Sequence, residues 1–192
     1  MIGLLRAYAR ERIRLEVFAP AIALLSFAAV WVAGAEDLNL AVGGGALVLM
    51  TLLILQFRLW DDLADRDRDR AAHPHRVLVA HDAAPFRGLL IVLLVATGVV
   101  GFAIGGNSAL VSIPVLNGCA LVLYRSIRPR LSADLWPALL VATKYPALVA
   151  LVATIVGEPV LNRLLLGCLT TSVGACLYEW THARPSSAGV TP

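Results

Sequence analysis

Six apolar runs dominate the chain, at roughly 17–35, 39–60, 88–106, 108–125, 133–156 and 160–180. An apolar run of about 18 residues or more predicts a membrane-spanning helix. Short turns separate the first and second runs (AEDLN), the third and fourth (GGNS), and the fifth and sixth (GEPVLN). Longer connections are expected at 61–87 and 126–132. Pro20, Pro114, Pro137 and Pro146 lie in or near the runs, where membrane helices tolerate them. The pattern predicts an all-α, polytopic transmembrane bundle of six spans. It forms a single domain over residues 1–185, followed by a small polar tail at 186–192 that is expected to be disordered.

The composition agrees with this pattern. Of the 192 residues, 59% are hydrophobic and only 15% are charged, where a soluble domain carries about 25%. The mean hydropathy is +0.79. The first segment carries Arg6, Arg10, Arg12 and Arg14, and no small-residue cleavage site follows a short apolar region. A cleaved signal peptide is therefore not expected. RAYARERIRLE reads instead as a basic helix lying on the cytoplasmic face against anionic lipid. Cys119, Cys168 and Cys176 all fall in apolar runs and form no CxxC pair, so they read as packing residues.

The basic residues predict an orientation. Fourteen of the sixteen fall on one side: four in the N-terminal segment, six between Arg58 and Arg87, three at 125–130, and Arg184. By the positive-inside rule this is an integral protein of the cytoplasmic or plasma membrane with both termini cytoplasmic. The net charge of +3 is then an orientation signal, and no nucleic acid partner is expected.

One stretch breaks the apolar pattern: RLWDDLADRDRDRAAHPHRVL, residues 58–78, with five of the thirteen acidic residues. At about 100° per residue, Asp61, Asp62, Asp65 and Asp69 share an arc of about 100° on one helix face. Arg58 falls on the same arc, and Asp67 points away beside Arg66 and Arg70. Four like charges on one stripe repel, and near lipid the cost rises. A divalent cation would relieve it, and hard oxygen ligands suit Mg2+, which also accepts phosphate oxygens. The plain alternative is a solvated helix end whose acids pair with the interleaved arginines. An EF-hand loop lacks its glycine and distal glutamate here.

The block resembles the UbiA superfamily of membrane prenyltransferases. That family carries N-D-x-x-D-x-x-x-D at the cytoplasmic end of its second helix, followed by a His-Pro-x-Arg-like loop. DDLADRDRD matches it with Asp62, Asp65 and Asp69, and Asp61 stands in place of the asparagine. His73, Pro74 and Arg76 are similar to the loop, with Val77 where a second proline is usual. LYRSIRPR is similar to a further family stretch through Tyr124, Arg128 and Arg130. At the end of the sixth run, Glu179, His182 and Ser186 stand where a second acidic motif is expected. The family has nine helices, so the resemblance implies a bundle without the last three, whose lipid-facing wall a homo-oligomer could supply.

The resemblance implies Mg2+-dependent transfer of a prenyl group from a polyprenyl diphosphate to an aromatic or lipid acceptor. Asp62, Asp65 and Asp69 would be catalytic. Asp61, Asp62, Asp65, Asp69, Glu179 and His182 would be metal ligands. Arg76, Arg128, Arg130, Lys144 and Tyr124 would bind the diphosphate. Lys144, within the fifth run, reads equally well as the structural partner of a carboxylate. Two other functions stay open: a non-catalytic isoprenoid- or metal-binding member of the fold, and an unrelated small transporter.

Overall fold

The computed structural model describes residues 2–34, 40–130 and 135–182, with residues 129, 135–138, 141 and 178–182 described by backbone alone. Among them every regular element is a helix. In chain order these are α1 (Ile2–Arg12), α2 (Leu15–Val32), α3 (Leu40–Ala72), α4 (Val77–Ala80), α5 (Ala84–Gly105), α6 (Asn107–Val122), α7 (Leu135–Val156) and α8 (Leu161–His182). After α6 the chain makes a π-helical turn over Leu123–Ile127 and a 3-10 turn over Arg128–Arg130.

Among the described residues four helices are long and apolar enough to cross a membrane: α2, α3, α5, and α6 with its π turn. They match the first four expected spans. The fifth and sixth form α7 and α8, whose described apolar stretches, Ala142–Val156 and Leu161–Leu177, are shorter. The expected long connection at 61–87 is largely helical. α3 continues unbroken through the acidic block, because LAVGGG to RDRDRAA contains no proline and its polar end can form i,i+3 and i,i+4 pairs. It stops one residue before His73, which precedes Pro74 and is thereby biased out of helical geometry. The 33 residues of α3 span about 50 Å at 1.5 Å each, against about 30 Å of hydrocarbon.

Packing separates into two clusters. The larger joins α2, α3, α6 and α7, and Leu49, Met50, Leu53, Leu148, Val149 and Val152 are fully enclosed in it. The turn between α5 and α6 fits directly against α7. A Cβ on Gly105 would come within 2.5 Å of the Ile155 carbonyl oxygen, and Gly106 adopts φ +55°. The smaller cluster sits at the charged end of α3. Tyr8, Leu59, Leu78 and Phe86 are buried there, with Leu4, Leu5 and Leu63 packed around them. It ties α1 and α4 to the adjoining ends of α3 and α5. The Tyr8 and Phe86 rings meet edge to face at 5.3 Å.

Candidate functional site: a charge cluster at the end of α3

The helical phasing of the acidic block is visible in its burial. Asp61 and Asp62 are buried, Asp65 and Asp69 are half-buried, and Asp67 is exposed. Among the described residues Asp67 pairs with Arg70 of its own helix, at 3.6 Å, with its side chain 92% exposed.

Each inner carboxylate meets a cation from a different part of the chain. Asp61 Oδ2 accepts a hydrogen bond from Lys144 Nζ of α7 at 2.6 Å, and both side chains are nearly enclosed. The other Asp61 oxygen, Oδ1, is buried and has no hydrogen-bond partner among the described residues. Asp62 is gripped from α1. Arg12 engages both of its oxygens, with Nε to Oδ2 at 3.0 Å, and the Tyr8 hydroxyl donates to Oδ2 at 2.8 Å. Arg58 lies 3.4 Å from Asp62 Oδ1 along the same helix. Asp65 pairs with Arg128, which the π turn and the 3-10 turn carry over α3. Asp69 pairs with Arg76 from the loop before α4. A fork of two parallel N–H donors onto both oxygens, as Arg12 makes, is the strongest geometry for such a pair.

The surroundings of α1 reinforce the grip on Asp62. Burial, then the charge of Asp62, pushes the Tyr8 phenol well above its ordinary pKa, so it remains a hydrogen-bond donor. Burial works against the Arg12 charge. The hydrogen bond and charge of Asp62 outweigh it and leave the guanidinium pKa raised. Glu11 accepts the backbone N–H of Val77 at 2.9 Å, which fastens α1 to the start of α4. Arg66 donates to the carbonyls of Leu78 and His81 at 3.0 and 2.8 Å, fixing α4 to α3. A small cleft remains between α1, α3 and α4, lined by Tyr8, Glu11, Arg12, Asp62, Asp69 and Arg76 with Leu78 and Val79.

Beneath the charges lies an aromatic stack. The Phe57 and Trp60 rings stack at 5.9 Å, and Trp60 and Tyr124 at 5.7 Å. One helical turn before Trp60, Gln56 donates from Nε2 to Asn117 Oδ1 of α6 at 2.7 Å, and Gln56 is fully buried.

The structure thus brings Asp61, Asp62, Asp65, Asp69, Arg76, Arg128, Lys144 and Tyr124 to one end of α3. Arg130 bonds the Ser126 carbonyl of its own turn. Glu179 and His182 lie in the last turns of α8, and their side chains, like all of Ser186, lie outside the described residues. Tyr8 and Arg12 were not expected at the site. Their signal was present: Leu4, Leu5, Tyr8 and Arg12 have the same spacing as Asp61, Asp62, Asp65 and Asp69, and so share one face of α1. That spacing marks a packed face but does not name its partner.

Four carboxylates are, in kind, the hard donors that Mg2+ takes. Each is held by its own cation, and among the described residues no three His, Cys, Asp or Glu side chains are grouped to hold a metal. Comparison with known proteins finds no matching family model, no matching curated protein and no matching solved structure.

Proposed function

We propose that the chain is a UbiA-like integral membrane prenyltransferase of six spans with cytoplasmic termini. It would transfer a prenyl group from a polyprenyl diphosphate to an aromatic or lipid acceptor. One observation carries this reading: cations from three separate segments, Arg76, Arg128 and Lys144, converge on the acid stripe where α3 leaves its apolar stretch. A diphosphate headgroup there would exchange carboxylate partners for phosphate oxygens on those same cations. They would stabilise the negative charge that builds on the leaving diphosphate as its C–O bond breaks. The prenyl tail would descend along α3 past Phe57, Trp60 and Tyr124, whose faces favour the allylic cation left behind. Mg2+ belongs to this reading through the family resemblance, and the steps above do not use it.

A second reading is favoured by the closed ion pairs. A site whose carboxylates are all occupied by cations suits a non-catalytic isoprenoid-binding member of the same fold. The test for both uses purified protein in lipid nanodiscs with Mg2+ and polyprenyl diphosphates of several lengths. Release of inorganic diphosphate that disappears in Asp62→Ala and Asp65→Ala is the result expected of the transferase. Saturable binding of the prenyl diphosphate without release selects the binding protein. Neither binding nor release removes both readings.

A further inference from the structure

The grip of α1 on Asp62 is out of proportion to the rest of that helix. Apart from Arg12, α1 rests on its neighbours through Leu4, Leu5 and Tyr8 and through the Glu11 contact to the Val77 N–H. Its opposite face exposes Arg6 and Arg10. Only the two-residue link Ile13–Arg14 joins it to α2, and Arg14 there is extended, with φ −84° and ψ 103°. Arg12, beside that link, makes the bidentate contact to Asp62 and lines the cleft shared with Arg76 and Asp69.

Two guanidiniums therefore face one small cleft, each paired with a carboxylate of one face of α3, and Glu11, which accepts the Val77 N–H, lines the cleft beside them. An anion entering the cleft would compete with Asp62 for Arg12 and with Asp69 for Arg76. A diphosphate carries more charge and more acceptor oxygens than a carboxylate, and it takes the same forked donor geometry. Losing Asp62 would free α1 from its strongest tether.

We propose that α1 is a latch: Arg12 is an internal ligand that closes the acid stripe until a diphosphate group draws it away from Asp62. Arg12 then becomes a positioning contact for the headgroup, and α1 turns about Ile13–Arg14. The proposal rests on the diphosphate chemistry proposed above but not on turnover.

The latch makes opposite demands on two probes. Removing Arg12 uncovers Asp62 and deletes an anion contact. In nanodiscs, Arg12→Ala is expected to bind Mn2+ about tenfold more tightly than the parent, and inorganic diphosphate without metal about tenfold more weakly, as fits one lost charged contact. Arg12→Lys recovers part of the diphosphate affinity. Tyr8→Phe moves Mn2+ binding the same way by less, and guards against a folding defect in Arg12→Ala. Amide hydrogen exchange gives the direct readout. Residues 2–12 of the parent exchange faster once inorganic diphosphate saturates, and in Arg12→Ala they are already fast without it. Unchanged exchange in the parent under saturating diphosphate overturns the latch, as does Mn2+ affinity that falls or stays level in Arg12→Ala. Prenyl diphosphate turnover in the same preparations separates the two proposals. Turnover with a still α1 overturns the latch alone, and a released α1 without turnover overturns the transferase alone.

Discussion

The two faces of α3 beyond Trp60 carry the same residue types and behave differently. On the outer face, Asp67 and Arg70 pair along the helix in full contact with solvent. On the inner face, Asp61, Asp62, Asp65 and Asp69 recruit α7, α1, the turn after α6 and the loop before α4. The sequence separations differ accordingly: Asp67 and Arg70 are three residues apart, whereas Asp61 and Lys144 are 83 apart. An exposed pair gains little because water screens both charges. An enclosed pair contributes little net energy against two apolar side chains, but breaking it strands a charge. Breaking an inner pair is therefore expected to cost more than breaking the outer one.

That contrast can be broken in order of expected effect. Lys144→Met leaves Asp61 buried and unpaired and should lower stability by about 3–5 kcal/mol, measured by reversible unfolding in mixed micelles. Adding Asp61→Asn should recover most of the loss; if the double variant is as unstable as the single, the pair is not the cause. Asp62→Asn weakens its contacts to Arg12, Arg58 and Tyr8 together and should cost about 2–3 kcal/mol. It should also loosen α1, seen as faster amide exchange over residues 2–12. Tyr8→Phe removes one neutral donor from an acid that keeps its arginines, at a cost of about 1 kcal/mol. Asp67→Asn should leave the unfolding midpoint unchanged, and a shift comparable to that of Asp62→Asn would erase the distinction between the faces. Salt sharpens the same comparison: about 1 M screens the outer pair and leaves the enclosed ones largely intact.

The architecture was legible where a single period decides it. Apolar length marks the major helices, and the 100° phasing of the sequence separates Asp67 from Asp61, Asp62, Asp65 and Asp69. What stayed hidden was partnership. Helical phase puts Arg12, and not Arg10, on the face of Leu4, Leu5 and Tyr8, but it does not name Asp62 as the partner against which Arg12 is half-buried. Lys144 could be read as a ligand contact or as the counter-charge of an acid, and only the packing of α7 on α3 brings it to Asp61. The π turn at Leu123–Ile127 left no mark that periodicity could detect, because one widened turn shifts the phase only of the residues beyond it, Arg128 among them. Glu179 and His182 remain a sequence expectation, since their side chains fall outside the described residues.

The unbroken length of α3 has a mechanical consequence. Asp61 stands 21 residues beyond Leu40, which places it about 31 Å along the helix axis, almost the thickness of a bilayer's hydrocarbon. The helix runs without a loop from the apolar stretch to the acids. In a bilayer a few ångströms thicker, α3 must stand more upright or draw Asp61 and Lys144 into the acyl chains. In a thinner one it tilts, and the whole row of carboxylates swings with it as a rigid arm. Membrane thickness thus becomes a dial on the geometry of the charges, set by lipid composition and read through a single helix.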